Sequence, residues 1–224
     1  MAAGNLWMLA IDTSTTLTGI ALYDGVSAYE LIWRSGRNQT RSLLTQIREL
    51  LGLNGLALTD FGAIAVATGP GTFNGLRVGL STAKGLAYGN DLAIYGIDTL
   101  EATAYPHRSS GQPIRAFVPA GRGRAVYCDY RVRNQRWMRA GEMQNKPFAE
   151  LTAGLSEPTL LVGELSDRET LELLESDMAE IPPAALRSRK PSCVAELAWQ
   201  RRERGEADEI AALEPVYVHG ARNG

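Results

Sequence analysis

The sequence predicts an α/β protein in which an antiparallel hairpin leads into a parallel sheet with helices on its faces. Three observations carry this prediction. Uncharged runs of small and β-branched residues, such as Ile64–Ala67, are typical of buried strands. A Gly-Pro-Gly turn follows that run and opens a stretch with helical period, Asn74–Tyr88. Elements alternate over the first half of the chain in the order β-β-β-α-β-α-β-α.

Composition limits the classes of function. The chain has 224 residues, of which 45% are hydrophobic and 21% charged, with a net charge of −2. These values are ordinary for a globular protein and give no sign of a nucleic-acid coat or a membrane-surface protein. No apolar run approaches the ~18 residues of a membrane span, and Met1–Asn5 has no basic segment. Two cysteines fit a reducing compartment, so we expect a cytoplasmic protein.

The first three strands are predicted from short apolar runs. Trp7–Ile11 and Leu17–Tyr23 are separated by a polar turn, and Asp24-Gly25 is a hairpin signal before the third strand, Val26–Trp33.

The polar turn at the end of the first strand contains Asp12, Thr13 and Ser14. Hydroxyls and backbone N–H groups at a strand end can wrap a phosphate or a metal-bound nucleotide. Alternatively, Asp12 accepts backbone N–H bonds within a hydroxyl-rich turn. Spacing alone leaves both interpretations open.

The first helix is predicted from an apolar stripe. Asn38 can cap it and Gly52 can end it. The stripe consists of Leu43, Leu44, Ile47, Leu50 and Leu51.

A glycine-rich segment organises the centre of this region. Gly69-Pro70-Gly71 breaks the central strand, and Thr72 or Asn74 can cap the following helix. A glycine inside a helix costs about 0.8–1 kcal/mol relative to alanine, so Gly75 and Gly79 predict the close approach of another backbone. A phosphate cradle is the second interpretation, although the segment is neither a Walker A loop nor GxGxxG.

The polar stretch His107–Pro113 marks the predicted junction between a domain at residues 1–107 and another at 108–224. Before it come a strand, Leu92–Ile97, and a short helix with Asp98 and Glu101 as a capping box. Elements predicted after it are strands at Ile114–Val118, Arg124–Arg133, Arg136–Met143 and Leu160–Gly163, a helix at Asp167–Leu174, and a helix capped by Ser192 that reaches about Gly205.

Charge is divided within the second domain. One acid, Asp129, stands among the arginines Arg115, Arg122, Arg124, Arg131, Arg133, Arg136 and Arg139, whereas residues 142–180 are acidic. The basic part could contact RNA phosphates. Pairing with the acidic half is the simpler interpretation, because the aromatic residues of RNP motifs are missing.

The sequence contains no HxxxH, HExxH or CxxC spacing, and its histidines, His107 and His219, are far apart. We therefore expect no metal site, no cofactor and no nucleophilic pair.

Several motifs together resemble the TsaB (YeaZ) family. These are Leu9–Ser14, Thr68–Leu80, Ala83–Ala87 and the closing Pro215-Val216-Tyr217. The resemblance implies an ASKHA-type (actin-like) fold: two tandem ribonuclease-H-like units, the second smaller and degenerate. It also implies that the final helix, about 192–205, packs back on the first domain.

The resemblance further implies a function. TsaB-like proteins take part in forming threonylcarbamoyladenosine beside the anticodon of tRNA, without performing the transfer. The implied partners are a TsaD-like catalytic subunit and a TsaE-like ATPase. When the chain is alone, the resemblance implies a homodimer, and it implies that tRNA is contacted only indirectly, through the complex.

Two departures from related enzymes favour a non-catalytic role. TsaD-like enzymes carry an HxxxH pair on the first helix, whereas Asn38–Leu43 has no histidine. The hairpin Pro119–Gly123 lacks the aspartate that the family commonly has near its start. His219 stands where family members often have an arginine after the closing Pro-Val-Tyr motif. A self-sufficient ASKHA-type ATPase or small-molecule kinase using Asp12 is the alternative, and a glycoprotease-like hydrolase would need a metal set or nucleophile that we do not find.

We predict a partner interface on the first two helices. Their apolar surface is broader than the part that must cover the sheet, so some of it remains for a second protein. The candidate residues of this interface are Leu43, Leu44, Ile47, Phe73, Gly75, Leu76, Gly79, Leu80 and Ala83.

Overall fold

The computed structural model describes residues 7–35 and 39–218, so Asn38 and His219 lie outside it. The chain forms two compact units, one of residues 1–99 with 190–216 and one of residues 100–189 with 217–224. The division falls before the boundary predicted at 107–108. The reason is that Leu100 and Ala104 pack with Ile114 in the core of the second unit.

The first unit is built on a five-stranded sheet in the order β3-β2-β1-β4-β5. Its strands are β1 (Trp7–Asp12), β2 (Leu17–Tyr23), β3 (Ala28–Arg34), β4 (Phe61–Gly69) and β5 (Ala93–Asp98). β1, β4 and β5 run parallel, while β2 and β3 are antiparallel to their neighbours. The predicted order of elements is confirmed.

The second unit repeats this connectivity. Its sheet has the order β11-β10-β6-β7-β8, with β9 paired to β7. Its strands are β6 (Ile114–Gly121), β7 (Arg124–Arg133), β8 (Arg136–Arg139), β9 (Gln144–Pro147), β10 (Thr159–Val162) and β11 (Ala179–Glu180). In both units the first three main strands form an antiparallel meander and the next two run parallel to the first. The last two strands, β10 and β11, are shorter than their counterparts β4 and β5 in the first unit, and the repeated connectivity agrees with the predicted tandem pair.

Helices cover the sheets. The α-helices are α1 (Gln39–Leu53), α2 (Phe73–Gly89), α3 (Thr99–Ala104), α4 (Asp167–Leu173), α5 (Ala184–Arg187) and α6 (Pro191–Glu203). α6 begins at Pro191 after Lys190, not at a Ser192 cap, because proline lacks the N–H that a helix start leaves unused.

The two faces of the first sheet receive different helices. Leu9, Ile11 and Ile20 pack in one core with side chains of α1 and α2. Gly19 alternates to the opposite face, where a Cβ would lie 2.9 Å from the Pro191 ring. α6 therefore covers that face within the first unit.

The segment after α6 covers the outer edge of β5. The Asp208 N–H donates to the Ile94 carbonyl at 2.9 Å, and the Gly96 N–H donates to the Asp208 carboxylate at 2.7 Å. Arg201 donates to both Asp208 and the Gly96 carbonyl at 2.9 Å. The edge groups of β5 are thereby paired within the chain.

Among the described residues, no helix has both the length and the apolar character needed to cross a membrane.

We predict that Asp208→Asn lowers the free energy of unfolding by about 1–2 kcal/mol at pH 7, because it removes a charged acceptor shared by Arg201 and the Gly96 N–H. Burial opposes ionisation, but the hydrogen bonds from Arg201 and Gly96 and the charge of Arg201 together hold the Asp208 pKa below its ordinary value. A depressed pKa stabilises the fold above the unfolded-state value and ceases to do so as the pH falls through the folded-state value.

Urea unfolding from pH 7 downwards measures this effect. The difference between the two proteins should shrink below about pH 4. Glu203→Gln, an exposed change on α6, is the control and should leave stability unaltered. A pH-independent difference would contradict the assignment to Asp208 ionisation.

Candidate functional site

The polar turn after β1 is buried. Asp12, Thr13 and Ser14 are each at most 2% exposed. Asp12 Oδ1 accepts hydrogen bonds from the Ser14 N–H at 2.9 Å and from Ser14 Oγ at 2.5 Å. This is the arrangement that the second interpretation of the turn predicted, with the carboxylate serving its own backbone.

The glycine-rich segment lies directly on this turn. A Cβ on Gly71 would stand 2.3 Å from the Ser14 carbonyl oxygen, and one on Gly75 would stand 2.1 Å from the Thr13 carbonyl oxygen. A Cβ on Gly79 would stand 2.2 Å from Thr13 Oγ1. A side chain at Gly71 or Gly75 would therefore force the backbone to move, and one at Gly79 would displace the Thr13 side chain.

Hydrogen bonds join the two segments. Thr13 Oγ1 donates to the Gly75 carbonyl at 2.7 Å, and the Thr72 N–H donates to the Ser14 carbonyl at 2.6 Å. Gly69, at φ +119°, starts the bend that brings the segment over the turn. We call residues 12–14 with residues 69–79 the glycine clasp.

The glycine clasp shows the close backbone packing that Gly75 and Gly79 predicted. A phosphate cradle presents free N–H groups and hydroxyls to its ligand. Here the Thr72 N–H and the Thr13 hydroxyl are bonded to the chain itself. The candidates Asp12, Thr13 and Ser14 are thus brought together, but as the packing surface for α2.

The predicted partner interface needs correction at most of its positions. Close approach of a backbone over Gly75 and Gly79 is observed, but that backbone is the Thr13–Ser14 turn of the same unit. The aliphatic members face their own core and are buried: Leu43, Ile47, Leu76, Leu80 and Ala83. The apolar arc of α2 is broad because it covers both the sheet and the turn.

Two of the predicted interface residues remain on the surface. Leu44 on α1 and Phe73 on α2 are each 53% exposed. Phe73 begins an exposed row along α2 at helical spacing, which we call the outer stripe: Phe73, Arg77, Ser81, Gly85 and Tyr88. Arg77 places its guanidinium 4.0 Å from the centre of the Phe73 ring, and Tyr88 is 83% exposed.

Gly85 is the unexplained residue of the outer stripe. Nothing lies within 4 Å of the position of its Cβ, so the fold of this chain does not require glycine there. The prediction of a close contact drew on Gly75 and Gly79 and did not consider this position. The signal that could have found it is a third glycine within the same helix.

The hairpin between β6 and β7 has no carboxylate. Gly121, Arg122 and Gly123 all adopt positive φ and are exposed at its tip. Within the described residues, no group of three His, Cys, Asp or Glu side chains is placed to hold a metal ion.

Comparison with known sequences identifies relatives. The profile of the family described as TsaD, tRNA N6-adenosine threonylcarbamoyltransferase, matches residues 34–200. The chain is 31% identical to the tRNA threonylcarbamoyladenosine biosynthesis protein TsaB of Bacillus subtilis, over 94% of this chain and 93% of that protein. It is 32% identical to the TsaB protein of Escherichia coli over 58% of each chain, so that match spans little more than half of the relative.

Comparison with solved structures gives the fold. YeaZ from Pseudomonas aeruginosa matches with a TM-score of 0.78 at 24% identity, over 95% of this chain and 99% of that one. A Bacteroides thetaiotaomicron protein with an actin-like ATPase fold matches with a TM-score of 0.51 at 10% identity, over 87% and 96%. The chain has the two-unit α/β fold of the actin-like type.

We predict that Gly75→Ala and Gly79→Ala each destabilise the protein by about 3 kcal/mol, because the added methyl group overlaps Thr13 in a closely packed contact. Gly85→Ala is the matched control on the same helix. It should raise the free energy of unfolding by about 0.5–1 kcal/mol, because it adds helix propensity in open space. Urea unfolding of the three variants checks both signs, and equal effects at Gly79 and Gly85 would contradict the glycine clasp.

Proposed function

This chain belongs to the TsaB (YeaZ) family, and we propose from that premise that it is a non-catalytic partner subunit of a TsaD-type threonylcarbamoyl transferase. The reaction served is threonylcarbamoyl modification of the adenosine beside the anticodon of tRNA. The names of the relatives support this proposal. So does the match to the transferase family itself, because a subunit derived from the enzyme's fold can pair with it.

The glycine clasp is the observation that carries the non-catalytic part. A turn that handles a nucleotide must offer its N–H groups and hydroxyls to the phosphates. In this chain the turn is buried, and its groups bond to each other and to the segment that opens α2. The backbone at Gly71 and Gly75 lies directly against the Ser14 and Thr13 carbonyl groups of this turn.

The outer stripe, together with Leu44, is the proposed surface for the partner. It offers exposed aromatic and aliphatic side chains on two neighbouring helices. Gly85 would allow a second helix to approach the backbone of α2 closely, which accounts for a glycine that costs helix stability. A TsaD-like subunit and, when the chain is alone, a second copy would use the same surface.

The remaining parts of the proposal follow from this pairing. A TsaE-like ATPase would join the assembled pair. The cytoplasm is the proposed location, because a chain with only two cysteines, Cys128 and Cys193, fits a reducing compartment.

We predict that Gly85→Glu abolishes pairing with the TsaD-like subunit, because it adds volume and an unpaired charge to a close helix contact. The variant should fold normally, since its side chain has open space in the free chain. Co-purification with the partner and the threonylcarbamoyladenosine content of tRNA from complemented cells provide the measurements.

Gly141→Glu is the matched control, because it introduces the same charge at another exposed glycine with free space. It should pair and support modification like the wild type. If Gly85→Glu pairs normally with the partner, the interface does not lie on the outer stripe of α2. Unchanged modified tRNA in cells lacking the chain would reject the proposed function.

We also predict no steady ATP hydrolysis by the purified chain, because the glycine clasp bonds the Thr13 hydroxyl and the Thr72 N–H to the chain itself and the hairpin between β6 and β7 has no carboxylate. A phosphate-release assay with and without Mg²⁺ measures this. Turnover that Asp12→Asn abolishes in a folded protein would instead favour the self-sufficient ATPase or kinase.

A further inference from the structure

The hairpin between β7 and β8 concentrates positive charge. Its two-residue turn, Asn134-Gln135, has positive φ at both positions, which matches the twist of the flanking strands. Residues 130–141 contain no acid, and four arginines project from this segment: Arg131, Arg133, Arg136 and Arg139. We call residues 130–139 the basic hairpin.

Two of these arginines stand directly opposite each other. Arg133 pairs with Arg136 across the strands, next to the turn. Like charges in such a pair repel, so the arrangement weakens the hairpin. Both side chains are exposed, and within the described part of the chain neither makes a hydrogen bond or an ion pair.

Pairing with the acidic half does not account for this charge. Arg115 is neutralised by Asp129, at 2.7 Å, and Arg139 donates to Cys128 Sγ at 3.2 Å. Arg131 lies 3.7 Å from Glu157, with both side chains about half exposed. These ion pairs and hydrogen bonds involve Arg115, Arg139 and Arg131 and do not reach Arg133 and Arg136 at the tip of the hairpin.

The positive charge continues beside the hairpin. Arg131 borders an open cleft of about 280 Å³ that is also lined by Arg108, Gln112 and Glu157. The Arg108 guanidinium is held over the Tyr105 ring at 3.9 Å and donates to the Tyr105 carbonyl. Glu157 offsets one of the two positive charges in the cleft, so the cleft keeps one positive charge beside those of Arg133 and Arg136 at the hairpin tip.

We infer that the basic hairpin binds the phosphate backbone of an RNA, which under the proposed function is the tRNA substrate of the complex. Guanidinium groups match phosphate oxygens in charge and in bidentate geometry. Phosphates between Arg133 and Arg136 would relieve the repulsion that the free chain carries.

The chemistry of this face favours RNA over a protein partner. A protein interface needs an apolar centre from which water is excluded. On the face that carries Arg131, Arg133 and Arg136, the register provides one apolar residue, Met138 opposite Arg131. The basic hairpin therefore suits a wet, charged contact along a nucleic-acid backbone.

The test is Arg133→Gln/Arg136→Gln in the full-length chain, alone and in complex with its TsaD-like partner. Binding to an unmodified tRNA transcript is measured by filter retention between 50 and 200 mM salt. Affinity should fall roughly tenfold at the lowest salt, and the slope of log K against log salt should fall by about two. The melting temperature should stay equal or rise, because a repulsive pair has been removed.

Two further variants control this experiment. Arg34→Gln/Arg168→Gln removes the same charge from exposed positions elsewhere and should keep the wild-type salt slope. Arg133→Lys/Arg136→Lys keeps the charge and should retain most of the affinity, with the slope restored.

Three outcomes would overturn the inference. These are wild-type tRNA binding by the Gln variant, equal loss in the Arg34/Arg168 control, and no tRNA binding by the wild-type chain or its complex at 50 mM salt. Loss of partner pairing with intact RNA binding would assign the hairpin to a protein instead. The proposed function is tested separately, by Gly85→Glu and by the modified tRNA content of cells.

Discussion

The contact between the Thr13–Ser14 turn and the start of α2 is the constraint on which the first unit depends. Three glycines, Gly71, Gly75 and Gly79, hold α2 against the end of β1, and the Thr13 hydroxyl fixes the distance through the Gly75 carbonyl. With α2 seated there, its aliphatic side chains reach the sheet and its remaining face is turned outward. The same contact thus bonds the Thr13 hydroxyl and the Thr72 N–H within the chain and leaves the outer stripe exposed.

Period and turn chemistry were sufficient to predict the first unit. The strands β1 to β5 and the helices between them follow from apolar runs, the Asp24-Gly25 hairpin and the Gly-Pro-Gly turn. The second unit was harder to predict because its strands are short. β9 has four residues and β11 has two, too few for a recognisable alternation.

The sequence predicted that a backbone packs closely against the glycines of α2, but it did not predict which residues make that contact. Gly75 and Gly79 predicted a close backbone, yet Thr13 lies 62 residues from Gly75, and sequence spacing does not show which backbone arrives. The assignment of Leu43, Leu76 and Ala83 to a partner interface was wrong for the same reason. Likewise, Arg115 is paired with Asp129 whereas Arg133 faces Arg136. This difference depends on the register of the strands, which composition does not specify.

The division of the first unit between residues 1–99 and 190–216 has a consequence for synthesis on the ribosome. The helix α6 and the segment that covers β5 emerge only after residues 100–189 of the second unit, so the first sheet leaves the ribosome with one face and one edge uncovered. Its completion requires closure of a loop that spans the second unit, and such contacts form slowly. During that interval the nascent chain would expose strand edges that other proteins or chaperones can bind.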